Sequence, residues 1–314
     1  MDASSAGSCQ GVCFPKVDLS THPCYSRAAH FRFGRIHVPV APRCNIQCNY
    51  CLRQVRLPER KSSLASPCAS VSPDEALHTV RHAIAHDLRL RVLGVAGPGD
   101  ALANQATLTT FERARAEFPH LIRCLSTNGL LLPDQIDAIE HAGITTLTMT
   151  INAVDPAIGE QIYAHVRYRG KTYRGREAST LLLHNQLIGL REAALRGMVV
   201  KVNSVLIPGI NDHHLIDVAC VVKDRGAAIM NIIPLIPLAK FAHLPEPSPE
   251  LLNRVRDECA TVIEQFRHCQ RCRADAIGVP GEEGCGTGER VCIPRFLAQR
   301  KEHTHAVQVQ SDPA

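Results

Sequence analysis

Apolar positions along the chain follow two periods. Runs with a period near two, at 35–40, 91–95, 121–126, 145–151, 198–205 and 228–233, predict six β-strands. Between them the period lengthens to that of a helix, at 72–88, 105–117, 133–142, 176–196, 212–225 and 249–267. The first of these opens on Ser72-Pro73-Asp74-Glu75, where Ser72 can cap, Pro73 takes the first helical position and Glu75 completes a capping box. Its stripe is Leu77, Val80, Ile84 and Leu88; that of the last helix is Leu251, Leu252, Val255, Val262, Ile263 and Phe266. Strand followed by helix, six times, predicts an α/β protein with a parallel sheet. The count suits a partial (βα)6 TIM-like barrel rather than the complete eightfold one. The expected organisation is an N-terminal extension at 1–34, the barrel at 35–247, and a C-terminal helix, C-x2-C segment and tail at 248–314.

Composition adds one anomaly. With 45 % hydrophobic and 21 % charged residues the 314-residue chain reads as globular. A net charge of +5 without a long basic run argues against nucleic acid, and no apolar run reaches the ~18 residues that span a bilayer. The N-terminus lacks the basic and apolar segments of a signal peptide, so cytoplasm is the expected location. The fourteen cysteines are the anomaly, because a reduced compartment does not sustain a disulfide framework. Cys220 and Cys259 fall on apolar helix faces and read as buried hydrophobes. Apart from Cys124, the others gather in 9–68 and 269–292, as a metal site requires.

Cys44, Cys48 and Cys51 form a C-x3-C-x2-C triad directly after the first strand. Three thiolates on one loop can hold three irons of a cubane and leave the fourth open to the amino and carboxylate groups of S-adenosylmethionine (AdoMet), whose reductive cleavage gives a 5′-deoxyadenosyl radical. Zinc is the competing metal, but it normally takes four ligands, and no fourth partner is near in the sequence. The remaining strand ends supply polar groups suited to AdoMet. These are Gly97, Gly99 and Asp100 in a Gly-Pro-Gly-Asp loop, Ser126 and Asn128 after the third strand, Thr150 and Asn152 after the fourth, and Asn203 on the fifth. Singly each has an ordinary reading as a turn or a helix cap; around one barrel mouth they form a candidate cofactor pocket. The pair Cys269 and Cys272 is a C-x2-C that suits redox, zinc or iron–sulfur chemistry. His22 and Cys24 stand together before the first strand with Cys13 nearby, and the strand period turns Cys124 inward. Together they suggest further clusters at the barrel mouth.

The segments HPCYSRAAH (22–30), RIHVPVAPRCNIQCNYC (35–51), VLGVAGPGDALAN (92–104), LSTNGL (125–130), TMTINAVDPAIG (148–159), KVNSVLIPGIND (201–212) and HCQRCRADA (268–276) resemble the NifB family of radical AdoMet maturases. The resemblance implies a barrel of the radical AdoMet type with cluster-binding extensions. It also implies an enzyme that fuses two 4Fe–4S clusters and inserts an AdoMet-derived carbide and a sulfur, giving the eight-iron precursor of nitrogenase cofactor. It assigns the AdoMet-bound cluster to Cys44, Cys48 and Cys51, a second precursor cluster to Cys269, Cys272 and Cys13, and a first precursor cluster to His22, Cys24 and Cys124. Three 4Fe–4S clusters and AdoMet are then the expected cofactors. Implied partners are a cluster donor, carrier or scaffold proteins of nitrogenase assembly and an electron donor such as ferredoxin, with neither nucleic acid nor membrane. The segment 52–61 departs from the family pattern: it lacks a cysteine, and Glu59 takes the acidic position as a catalytic candidate. The loop 237–240 also departs, and Cys68, Cys285 and Cys292 have no assignment. The chain ends without the carrier-like domain of some relatives, which implies a separate acceptor. Two other readings stay open: another radical AdoMet enzyme with auxiliary clusters, acting on a peptide or small molecule, and a non-catalytic iron–sulfur scaffold.

Overall fold

The computed structural model describes residues 18–52, 70–269 and 272–282. Ten strands form two sheets. The larger contains β1 (Gly34–His37), β3 (Leu90–Val95), β4 (Ile122–Thr127), β5 (Thr146–Thr150), β8 (Val199–Leu206), β9 (Ile229–Pro234) and β10 (Ile277–Gly278). Its order is β10-β1-β3-β4-β5-β8-β9, parallel except for β10 against β1. The six parallel strands are those the period predicts. β9 does not pair back to β1, so the barrel is partial. The smaller sheet, β2 (Ile46–Cys48), β6 (Tyr163–Tyr168) and β7 (Lys171–Tyr173), is antiparallel.

A helix follows each parallel strand: α2 (Pro73–His86), α3 (Gln105–Glu117), α4 (Leu132–His141), α6 (Gly175–Leu195), α7 (Leu215–Asp224) and α8 (Pro249–Ala260). Short helices α1 (Arg27–His30) and α5 (Pro156–Ile162) and two 3-10 turns, Ala101–Ala103 and Ala239–Phe241, complete the set. The capping box at Ser72 forms as expected, with Ser72 Oγ accepting from Glu75 N and the Glu75 carboxylate accepting from Ser72 N. Among the described residues no helix is long and apolar enough to cross a membrane.

Two helices end earlier than the period predicts. α2 stops at His86, so Leu88 lies beyond it and is 77 % exposed instead of completing the stripe. α8 stops at Ala260 although apolar spacing continues through Phe266. The edge of β9 decides this: Met230 N donates to Glu264 O at 2.8 Å and Phe266 N to Met230 O at 2.7 Å, which satisfies edge groups that a longer helix would leave open. Cys259 is buried as expected, whereas Cys220 is exposed.

Alternation along each parallel strand separates two unlike faces. Ile36, Leu93, Leu125, Leu147, Val200 and Ile232 face the helices and build the main apolar core. Each such side chain contributes about 1.5–3 kcal/mol when fully buried. The opposite face carries Arg35, His37, Cys124, Ser126, Thr146, Thr148, Lys201, Asn203 and Asn231. A barrel interior filled for stability alone carries branched apolar side chains. Chain from both termini closes over this polar face. Tyr25 Oη donates to Leu147 O, and β10 extends the sheet beside β1.

Gly94 makes room on this face, because a β-carbon there would lie 2.7 Å from Cδ2 of His37. Gly94→Ala is expected to destabilise the fold by about 1–3 kcal/mol, the usual cost of overpacking a rigid neighbour. Urea denaturation of the two proteins measures it.

Candidate functional site

The cysteine triad is held by backbone on both sides. Ala41 bridges Pro98, Gly99 N donates to Ala41 O at 2.5 Å, and Asp100 N donates to Arg43 O at 2.9 Å. Gly99 is required there, since a β-carbon would overlap the Arg43 carbonyl. The amide of Asn104 clasps the same residue, accepting from Arg43 N at 3.1 Å and donating to Arg43 O at 2.9 Å. Beyond Cys44 the chain is strand β2 rather than open loop, with Cys48 opposite Tyr163 of β6. Gln47 Nε2 then donates to Cys48 O at 2.9 Å and Cys51 O at 2.8 Å, curling the last cysteine back toward the first two.

Cys44, Cys48 and Cys51 are half-buried and line one cavity of about 240 Å³. Gly99, Asp100, Ser126, Asn128, Thr150 and Asn203 line it as well, as do Tyr50 and Tyr163. The carboxylate of Asp100 is turned to the protein, accepting from Leu102 N at 3.0 Å, Thr127 Oγ1 at 3.0 Å and Asn128 N at 2.6 Å. That orients Asn128, whose Nδ2 donates to Asn45 Oδ1 at 2.6 Å and lies 3.9 Å from Cys44 Sγ. From α6, Gln186 Nε2 donates to Asn128 O and Thr150 O, fixing the ends of β4 and β5 together.

Gly97 and Asn152 do not line this cavity. Asn152 is fully buried: its Nδ2 donates to Tyr50 Oη at 2.9 Å and Tyr163 Oη at 3.2 Å, while its Oδ1 accepts from Val205 N at 2.9 Å. It positions the wall instead of facing a cofactor. It lies two residues past the end of β5, where its amide is taken up by the two tyrosines and by Val205 N of β8.

A second group of predicted residues meets deeper on the same face, inside the barrel rather than at its mouth. Cys124 lies two residues before Ser126 and packs, as Cys24 and Cys269 do, against the cluster of Tyr25, Ile229 and Phe266. His22 is fully buried; its Nδ1 accepts from Cys24 N at 3.1 Å, and its Nε2 lies 3.5 Å from Thr146 Oγ1. Arg35, also fully buried, donates through Nη2 to Cys272 Sγ at 2.8 Å. Burial pushes the Cys24 thiol up to about 12, against the opposing pull of Lys201. Burial likewise raises Cys124. It lowers His22 well below the usual imidazole range, and His37 to about 4 with Arg35 adding to the shift. Cys13 and Glu59, like Cys68, Cys285 and Cys292, lie outside the described residues.

Among the described residues no three His, Cys, Asp or Glu side chains close on a single ion. The triad thiols stand instead around a cavity wall, an arrangement suited to a multi-iron group held by thiolates. None of the nine described cysteines is in a disulfide.

Sequence reasoning missed β6, β7 and α5, and with them Tyr163. The signal was present in Tyr163-Ala164-His165-Val166-Arg167-Tyr168, followed by Arg169-Gly170, both with positive φ as a two-residue hairpin turn needs. It also passed over Arg35, His37 and Lys201, although each falls on the inward phase of its strand.

Residues 38–219 match the Radical SAM superfamily. The FeMo cofactor biosynthesis protein NifB of Methanocaldococcus jannaschii is 41 % identical over 289 residues, covering 92 % of this chain and 94 % of that protein. NifB proteins of Chlorobaculum tepidum and Klebsiella pneumoniae are 41 % and 45 % identical over 85 % and 84 % of this chain. The chain spans only 63 % and 58 % of their lengths. Among solved structures, Streptococcus suis SuiB bound to S-adenosylmethionine shares the fold, with a TM-score of 0.55 at 10 % identity over 74 % of this chain and 49 % of that one.

Two outcomes test the site as built. His37 and His22 titrate lower when folded than the 6.5 of a free imidazole, so the folded state binds fewer protons. Their contribution to stability is intact above pH 6.5 and is lost as pH falls toward about 4, where His37 protonates. Urea midpoints of the metal-free protein should therefore fall across that window, and His37→Gln should flatten the fall. Asn152→Ala leaves Val205 N and two tyrosine hydroxyls without their partner, at a cost of about 1–3 kcal/mol. Calorimetry should register that loss.

Proposed function

The chain belongs to the Radical SAM superfamily and, within it, to the NifB family, and from this premise we propose that it is the maturase that builds the eight-iron precursor of nitrogenase cofactor. In this reading it fuses two 4Fe–4S substrates and inserts an AdoMet-derived carbide and a sulfur. The family implies a 4Fe–4S cluster and AdoMet, and the donor set on the cavity wall fits them: three thiols beside the polar groups of Asn128, Ser126, Thr150 and Asn203. When bound, such a cluster supplies the electron that cleaves AdoMet. Cys44, Cys48 and Cys51 would hold it, and Asn128, fixed by Asp100 and Asn45, would steady Cys44. Ser126, Thr150 and Asn203 offer hydrogen bonds to the ribose and the methionine end. Tyr50 and Tyr163, braced by Asn152, close the side of β2.

One observation carries the proposal beyond AdoMet cleavage. Cys24, Cys124 of β4 and Cys269 pack against one cluster of Tyr25, Ile229 and Phe266, on the same face of the sheet as the triad cavity and one layer deeper. A sulfur-rich substrate site there would lie within reach of a radical formed above it. The iron–sulfur substrates would be held there by His22, Cys24 and Cys124 and by Cys269 and Cys272, with Cys13 as a further ligand and Glu59 as the acidic group. Two such substrates with the AdoMet-bound cluster make three 4Fe–4S groups in all. A reducing cytoplasm suits cysteines that form no disulfide. The partners of this reading are a cluster donor, an electron donor such as ferredoxin, and a carrier that takes the product onward.

Anaerobic reconstitution, iron counting and a dithionite-driven AdoMet assay test this. Three cubanes correspond to roughly twelve irons per chain, whereas four alone would remove the substrate sites. Replacing Cys44, Cys48 and Cys51 by Ala should abolish AdoMet cleavage. Cys269→Ala with Cys272→Ala should keep cleavage and lose the product cluster; a double variant that still matures apo-nitrogenase overturns their role.

A further inference from the structure

Lys201 is 5 % exposed and lies on the inward phase of β8, two residues below Asn203. Its Nζ donates to Cys24 O at 3.1 Å and sits 4.9 Å from the centroid of the Tyr25 ring and 5.2 Å from that of Phe266. Among the described residues it forms no ion pair. The buried carboxylate on that side, Asp275, is bound to Arg273 at 2.9 Å. The other long side chain buried on this face, Arg35, is itself a cation and adds no negative charge. Two aromatic rings and a carbonyl offset part of the cost of a buried ammonium, but a burial of this kind normally comes with an anion.

We propose that Lys201 is a positioning residue whose ammonium is the built-in counter-charge for an anionic, thiolate-ligated iron–sulfur group seated against Cys24 and Cys124. This rests on the functional reading above, in that the group is an iron–sulfur substrate. Thiolate ligation gives such a group net negative charge, and a fixed cation beside it favours the reduced, more negative form. Lys201 therefore both retains the group and raises its reduction potential. It also explains why β8 places a long cation where a branched apolar residue would fill the barrel better. The structural alternative is that Lys201 only ties the N-terminal Tyr25 and the C-terminal Phe266 to the sheet.

The full chain with Cys44, Cys48 and Cys51 replaced by Ala isolates the deeper site. In that background Lys201, Lys201→Met and Lys201→Arg are reconstituted anaerobically, their iron is counted, and midpoint potentials are read by EPR-monitored titration. The melting temperature of each is taken with and without iron. The expected result is several-fold less iron and a more negative midpoint in Lys201→Met, with Lys201→Arg restoring both. Without iron, Lys201→Met should melt no lower than its parent, because it removes a buried charge; with iron the order should reverse. Equal iron and an equal midpoint in Lys201→Met overturn the counter-charge while leaving the functional reading intact. So does a lower melting temperature without iron at an unchanged midpoint, which marks a structural tether. A parent that binds no iron overturns the functional reading and the counter-charge with it. Should Lys201→Met fail to fold, Lys201→Gln gives the same readings, being neutral while keeping a donor for Cys24 O.

Discussion

A parallel sheet with one apolar face and one polar face, both buried, constrains everything else in this molecule. On the helix side, Ile36, Leu93, Leu125, Leu147 and Val200 pack as in any α/β core. On the other side the same strands present Arg35, Thr146, Thr148, Lys201 and Asn231, all buried, with His37 and Cys124 half-buried. Such groups are costly away from water unless each finds a partner. The chain supplies partners from its two ends: Tyr25 reaches Leu147, Arg35 reaches Gly278 and Cys272, and His37 meets Arg273 O at 3.0 Å. The terminal segments are part of the inner face, and the sheet could not bury this face without them.

That arrangement divides the inner face by depth. At the carboxyl ends of the strands the triad cavity is bounded by hydrogen-bonded clasps that leave little freedom: Arg43 between Asp100 and Asn104, Asn128 between Asp100 and Gln186, Asn152 between two tyrosines. One layer down, thiols, imidazoles and two cations crowd together without a balancing carboxylate in direct contact with Lys201. The upper layer is organised by hydrogen bonds among backbone, amides, tyrosine hydroxyls and the Asp100 carboxylate, and the lower one by buried cations and sulfur. A cofactor that needs orientation and a substrate that carries negative charge place those two different demands on one fold.

Much of this was legible in the sequence. The six parallel strands follow from period alone, because a strand between two covered faces cannot change phase without exchanging core for interior. The triad spacing gave the loop chemistry, and inward phase identified Cys124, Ser126, Thr150 and Asn203 as facing the barrel. What the one-dimensional pattern misjudged shares a cause. Leu88 and the stripe beyond Ala260 keep helical spacing, but the turn at Asp87 and the open edge of β9 end those helices. The β6–β7 hairpin was hidden because its few alternating residues were too short to stand apart from the helix that follows.

The sequence by itself determined the local quantities: which residues are strand or helix, which phase of each strand faces inward, and which thiols are close along the chain. Those follow from backbone geometry and side-chain period, which act over a few residues. Only the tertiary structure decided that residues 22–25, 124, 201 and 269 meet at one depth, that Asn152 braces the wall rather than facing the cavity, and that a lysine is buried beside aromatic rings and the Cys24 backbone. Those outcomes depend on strand register and on where the segments 18–30 and 261–269 come to rest, and such long-range packing leaves no periodic trace along the chain.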